Sequence, residues 1–121
     1  MQKVARAFSP GHITGFFRIW DHGEEPAKKG STGAGFCVNR GVTTEVQAAR
    51  NEHTSMAISI NGAKTNDAKV SRFVAETMLS RSQHSHSIEI THWVDLPVGA
   101  GFGTSGAGAL SLALALNEAL E

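Results

Sequence analysis

The chain has 121 residues, 11 basic and 11 acidic, and a formal net charge of zero. That length fits one domain with one real core, and a neutral balance without a basic run leaves no electrostatic footprint for nucleic acid. The only cysteine, Cys37, allows no internal disulfide and fits a reducing, cytoplasmic setting. The start MQKVARAF has no apolar signal core, and the longest apolar run, residues 107–116, is about half of what a membrane span needs, so no membrane partner is expected.

Taken in order, Lys3–Phe8 reads as a strand with Val4 and Phe8 on one face. A Pro/Gly turn centred on His12 and Thr14 follows, in SPGHITGFF. Asp21–Gly30 is charged and turn-rich, and reads as an exposed loop. A glycine cluster, GSTGAGF at Gly30–Phe36, leads into a short strand over Phe36–Asn39. A hairpin turn is expected at Asn39–Gly41 and a return strand at Val42–Ala49. Thr54–Ile60 alternates, with Asn61–Gly62 as its closing turn. Asn66–Ser82 is the clearest amphipathic helix, with Val70, Phe73, Val74, Thr77 and Met78 on its inner stripe and Thr65 or Asn66 as N-cap. His86–Val94 is a further strand with Ile88 and Ile90 inward, and Pro97 ends it.

The segment Pro97–Leu116, PVGAGFGTSGAGALSLALAL, carries the chemistry. Glycines let a backbone approach an anion, and the first turn of a helix offers unpaired N–H groups and a positive dipole end. Leu110–Leu116 alternates with period two, yet Ala and Leu are strong helix formers and Thr104 and Ser105 suit a helix start. A helix, buried on most sides, is therefore expected. Gly101–Gly106 satisfies G-x-G-x-x-G, but no second strand follows as a dinucleotide fold requires, and no lysine stands where a Walker A loop needs one. A glycine-rich turn that only lets a strand pack near a helix remains the bland alternative. Beyond the helix, Asn117–Glu121 is helix-forming with no glycine cap, and its acidic residues sit at the negative dipole end. The expectation is that residues 1–121 form one domain of a larger architecture, which a companion carboxyl-terminal half or a second copy would complete.

Pro97, Gly101, Phe102, Gly103, Thr104, Ser105, Gly106 and Ala107 occupy, in order, a pattern that resembles the phosphate-binding motif of the GHMP kinases. That family usually has Leu at the position of Phe102 and Ser at that of Thr104. Together with AFSPGHITGFF, KKGSTGAGFCVNRGVTTEV, ING and VSRFV, the chain is similar over most of its length to the archaeal pantoate kinase branch of that family. The resemblance implies an α+β fold like the second domain of ribosomal protein S5, a mixed sheet backed by helices, with a βαβ unit over Thr54–Val94. It implies ATP-dependent phosphorylation of pantoate, an early step of coenzyme A synthesis, with Mg²⁺. A shikimate- or homoserine-type kinase and a non-catalytic nucleotide-binding fragment are the alternatives. It further implies that Pro97, Gly99, Gly101, Gly103, Thr104, Ser105, Gly106 and Ala107 wrap the ATP phosphates. Ser105 would be the catalytic residue of the loop, bonding phosphate or helping to hold Mg²⁺. The Mg²⁺ carboxylate and the base of the family come after this helix.

His12 and Thr14 fall in a region that lies near the acceptor in the family, and their side chains suit the carboxylate and hydroxyls of pantoate. Ser31, with the backbone of Gly33–Gly35 as a nest, is a second candidate for the carboxylate. Ordering of a Pro-Gly turn is the plain reading of His12, and solvation that of Lys28 and Lys29. His84, His86 and His92 suggest a metal, but no second ligand pair supports it, and a polar turn entering a strand accounts for them. Cys37 is expected to be a small buried residue, and Trp20 and Trp93 to serve packing.

Overall fold

Alternation of side chains along strands decides which face of this chain is buried. The computed structural model describes residues 2–121. It contains β1 (Gln2–Trp20), β2 (Gly30–Arg50), β3 (Ser55–Ile60), β4 (Ala63–Lys64), α1 (Lys69–Leu79), β5 (His86–Val94) and α2 (Thr104–Ala119), with a 3-10 turn at Pro26–Lys28. The strands form one sheet in the order β1-β2-β5-β3-β4. β1, β2 and β5 are antiparallel neighbours, while β3 runs parallel to β5 and reaches it through β4 and α1. Asn61 and Gly62 both have positive φ, 48° and 85°, as a two-residue hairpin requires. The fold is therefore the mixed α+β sheet expected, with the β3–α1–β5 unit in place. No helix among the described residues is long and apolar enough to cross a membrane.

Both helices contribute to a core on one face of the sheet. Val46, Ala48, Ile58, Ile88 and Ile90 meet Ala75 of α1 and Leu112, Ala115, Leu116 and Ala119 of α2. Full burial of a leucine such as Leu112 or Leu116 is worth roughly 1.5–3 kcal/mol, and the alanines between them bring α2 close to the sheet. α2 is helical despite its period-two pattern, but it is buried along one side only, with Leu110 and Leu114 exposed.

Several local expectations are corrected. The segment around His12 is no turn, and there is none at Asn39–Gly41: β1 and β2 are long strands paired from Gln2–Ala49 to Trp20–Gly30. Irregularities at Pro10/His12 and Thr14/Phe16 absorb the proline and glycines that signal turns in the sequence. Gly33, Gly35 and Gly41 of β2 serve close approach. A Cβ on Gly41 would lie 2.1 Å from the Ser9 carbonyl oxygen, and one on Gly35 would lie 2.3 Å from that of Ile13. Gly33–Gly35 is thus strand, not a nest. Val4 and Phe8 face outward, because the small residues Ala5, Ala7 and Ser9 are the ones that fit beneath α2. Helix α1 starts at Lys69 after an Ala68 N-cap, and the Thr65 hydroxyl instead accepts from the Asp67 N–H at 3.0 Å. Its core stripe is Ser71, Ala75 and the expected Val74 and Met78, rotated away from Val70 and Phe73, which are exposed. Cys37 is exposed. Trp93 stands half-exposed on the outer sheet face with the Arg6 guanidinium 5.2 Å from its ring centre. Trp20 lies under Arg18 at 4.1 Å.

Candidate functional site

The loop between β5 and α2 is pinned to the β1–β2 pair at both ends. The Asp95 N–H donates to the Gly41 carbonyl at 2.9 Å, and the His12 N–H donates to the Phe102 carbonyl at 2.8 Å. Between these anchors Gly99, Gly101 and Gly103 take φ values of 72°, 86° and 64°, a left-handed conformation that side chains resist. Gly103 is the N-cap of α2, so Thr104 and Ser105 stand at the helix start as expected but do not cap it. They are its first two residues, and no side chain caps it. The Ala107 N–H bonds the Gly103 carbonyl at 3.0 Å and opens the helical ladder. The amides of Thr104, Ser105 and Gly106 therefore precede it and have no intrahelical acceptor. Ser105 and Gly106 are exposed. A free helix N-terminus behind a left-handed glycine loop has the chemistry of an anion cradle.

Two clefts flank this loop. One, of about 320 Å³, lies between the first turns of α1 and α2 and is bounded by Asp67, Lys69, Ser71, His92, Thr104 and Ser105 among others. The other, of about 430 Å³, lies on the β1–β2 hairpin and brings together His12, Thr14 and Ser31 with Phe16, Phe17 and Gly33–Gly35. The three polar residues come from two strands and share this cleft although Ser31 belongs to no nest. The Thr14 hydroxyl is 3.5 Å from His12 Nδ1. Backbone pairing of His12 to Phe102 puts the second cleft against the glycine loop. Pro97 and Gly99 lie in the exposed part of that loop, and Ala107 is buried under it.

The family model for the GHMP kinases N terminal domain matches residues 68–121, which hold α1, β5, the glycine loop and α2. The pantoate kinase of Thermococcus kodakarensis is 38% identical over 119 residues, 96% of this chain and 39% of that protein. The pantoate kinase of Methanocaldococcus jannaschii is 36% identical over 114 residues, again 39% of its length. A solved structure described as a phosphotransferase related to the CoA biosynthesis pathway superposes with a TM-score of 0.86 at 36% identity, over 98% of this chain and 40% of its own. Residues 68–121 match the GHMP kinase amino-terminal domain, and the fold of the chain is similar to that of the CoA-pathway phosphotransferase.

The chain spans about two-fifths of the length of the relatives it matches. The family match stops short of the β1–β2 hairpin, whereas the likeness to the pantoate kinases covers nearly the whole chain, hairpin included. Sequence reading missed one polar feature of the domain. His92 is buried, with Nδ1 2.7 Å from the Thr44 hydroxyl and Nε2 2.9 Å from the Ser71 hydroxyl. Thr44 is in turn 2.6 Å from the Ser111 hydroxyl. Burial pushes the His92 imidazole below its ordinary value. The available signal was a polar residue at a core position in each of four elements: Thr44 and His92 at inward strand positions, Ser71 in the α1 stripe, and Ser111 inside an Ala/Leu run.

Proposed function

We propose that the chain is the amino-terminal, ATP-binding domain of a cytoplasmic kinase that transfers the γ-phosphoryl group of ATP to a hydroxyl of pantoate, as in archaeal coenzyme A synthesis. The observation that carries the reading is the His12–Phe102 backbone bond, which joins a small-acid-sized cleft to a loop with the chemistry for phosphates. Phosphoryl transfer needs an aligned acceptor oxygen and neutralised phosphoryl charge. The free amides of Thr104–Gly106 fit the phosphates, and the open space beside Gly99, Gly101 and Gly106 leaves room for them. Ser105, exposed at the helix start, would bond the phosphates or share in holding Mg²⁺, an ion that takes oxygen ligands and keeps several waters. Bound Mg²⁺ supplies charge neutralisation on the transferring group. His12, Thr14 and Ser31 supply hydrogen bonds for the carboxylate and hydroxyls of pantoate, and Phe16 and Phe17 an apolar wall for its two methyl groups.

Catalysis would further draw on a carboxyl-terminal part, on the same chain or a companion chain, for a Mg²⁺ carboxylate and a base. The length comparison favours a second reading of the 121 residues by themselves, as a nucleotide-binding unit without turnover. ADP release from the protein complete with that part, offered pantoate, shikimate and homoserine, tests the proposal. Turnover of pantoate alone is expected, falling by orders of magnitude in Ser105→Ala. Absent turnover of pantoate would overturn the substrate assignment, and wild-type turnover in Ser105→Ala would overturn the role of the serine.

A further inference from the structure

One donor assignment satisfies every contact of the buried hydroxyl–imidazole chain. The Ser111 hydroxyl donates to the Gly108 carbonyl at 3.2 Å. A serine has one proton to give, so Thr44 donates to Ser111. Thr44 has then spent its own proton and accepts from His92 Nδ1–H. The neutral imidazole is left to accept, at Nε2, from the Ser71 hydroxyl. Every proton is used once and every partner is satisfied. The chain crosses β2, β5, α1 and α2 and ends on a carbonyl one turn inside the free N-terminus of α2. His92 and Ser71 also bound the cleft that Thr104 and Ser105 face.

We propose that His92 is a positioning residue of the glycine loop, fixing the first turns of α1 and α2 against each other through Ser71 on one side and Thr44 and Ser111 on the other. The proposal rests on the reading of that loop as the ATP phosphate site. Apolar contacts alone leave a helix free to slide by fractions of an ångström. A directed hydrogen-bond chain with no spare proton admits one setting, and a preorganised anion site needs its donors fixed to about that tolerance.

The test compares Thr44→Val, which keeps the shape and removes the hydroxyl, with Thr44→Ser, which keeps the hydroxyl and loses a methyl group. Ser111→Ala serves as a second cut in the chain, at a helix position where alanine is favoured. Imidazole ¹⁵N spectra of the 121-residue chain are expected to show His92 as the neutral Nδ1–H tautomer. Thr44→Val and Ser111→Ala should each weaken ATP binding about tenfold and shift the amide signals of Thr104–Gly106, whereas Thr44→Ser should bind as wild type does. A role in packing alone would reverse the order, with valine tolerated and serine not. That reversal, an Nε2–H tautomer, or unmoved amides in both hydroxyl-deletion variants would overturn the proposal. Failure of wild type to bind ATP would count against the phosphate-site reading instead, and the tautomer and amide shifts of the nucleotide-free chain would still decide the positioning role.

Discussion

The substitution Gly106→Ala separates the stability of the domain from its anion chemistry. Gly106 is the third residue of α2, and a Cβ built there meets no atom within 4 Å. Glycine in a helix costs roughly 0.5–1 kcal/mol relative to alanine, so the substitution should stabilise the fold by about that amount. The unfolding entropy of a chain of this length is about 0.25 kcal/mol per kelvin, which turns the gain into a rise of roughly 2–4 °C in Tm. The empty space that makes alanine harmless to the fold borders the free amides of the cradle. A methyl group there should keep a phosphate at a distance, and a tenfold loss of ATP affinity corresponds to about 1.4 kcal/mol. Thermal unfolding and calorimetric titration with ATP measure the two effects on the same samples. A raised Tm with undiminished affinity would refute the assignment of that space to phosphate. Gly103→Ala is the counterpart, because φ is 64° at Gly103. It should cost about 1–2 kcal/mol and lower Tm without any clash.

Two further outcomes follow from the fold. Gly41→Ala should destabilise the chain by about 2–3 kcal/mol, because its Cβ would press on the backbone of Ser9 and Pro10 rather than on a side chain that can swing away. An unchanged denaturation midpoint would disprove the close approach of β1 and β2. Burial lowers the proton affinity of His92 in the folded chain below that of the unfolded chain. The unfolded state therefore takes up this proton first as pH falls, so stability is full above pH ~6.5 and declines below it. Denaturation midpoints measured through that range should fall less steeply in His92→Gln, and equal slopes would show that another group is responsible.

Much of the architecture was legible where local and tertiary signals agreed. Asn61–Gly62 demanded a tight hairpin, Ile88 and Ile90 marked the inward face of β5, and the order strand, glycine loop, helix was read as it stands. The hairpin of β1 and β2 was not legible, because Pro10, Gly11 and Gly41 are turn signals in isolation. The reason for Gly41 lies across the sheet, where the backbone of Ser9 and Pro10 leaves no room for a Cβ, and that for Gly11 in the Leu96 side chain packed on it. The faces of β1 and α1 were misread for a related cause. Hydrophobicity pointed to Val4, Phe8 and Phe73, while the space beneath α2 admits only Ala5, Ala7 and Ser9, and the α1 contact selects Ser71 and Ala75. His12, Thr14 and Ser31 were singled out by residue chemistry and family resemblance, yet the strand pairing that puts them in one cleft could not be read from their spacing.

The far part of the β1–β2 hairpin has a kinetic consequence. Residues 14–20 and 30–37 are all exposed, so this ribbon is held by its own ladder and not by the helices. Amide hydrogens there should exchange through local opening, at a free energy well below that of the sheet centre around Val46 and Ile90, which opens only when the whole domain does. The cleft with His12, Thr14 and Ser31 thus rests on the part of the molecule that opens most readily. The cradle of α2 is an extension of its slowest-exchanging part. Ligands entering the two clefts should therefore differ in what they protect: a phosphate group on the cradle would slow the core amides, which exchange only through global unfolding, and leave the ribbon as it is, whereas an occupant of the hairpin cleft would also slow exchange along the whole ribbon.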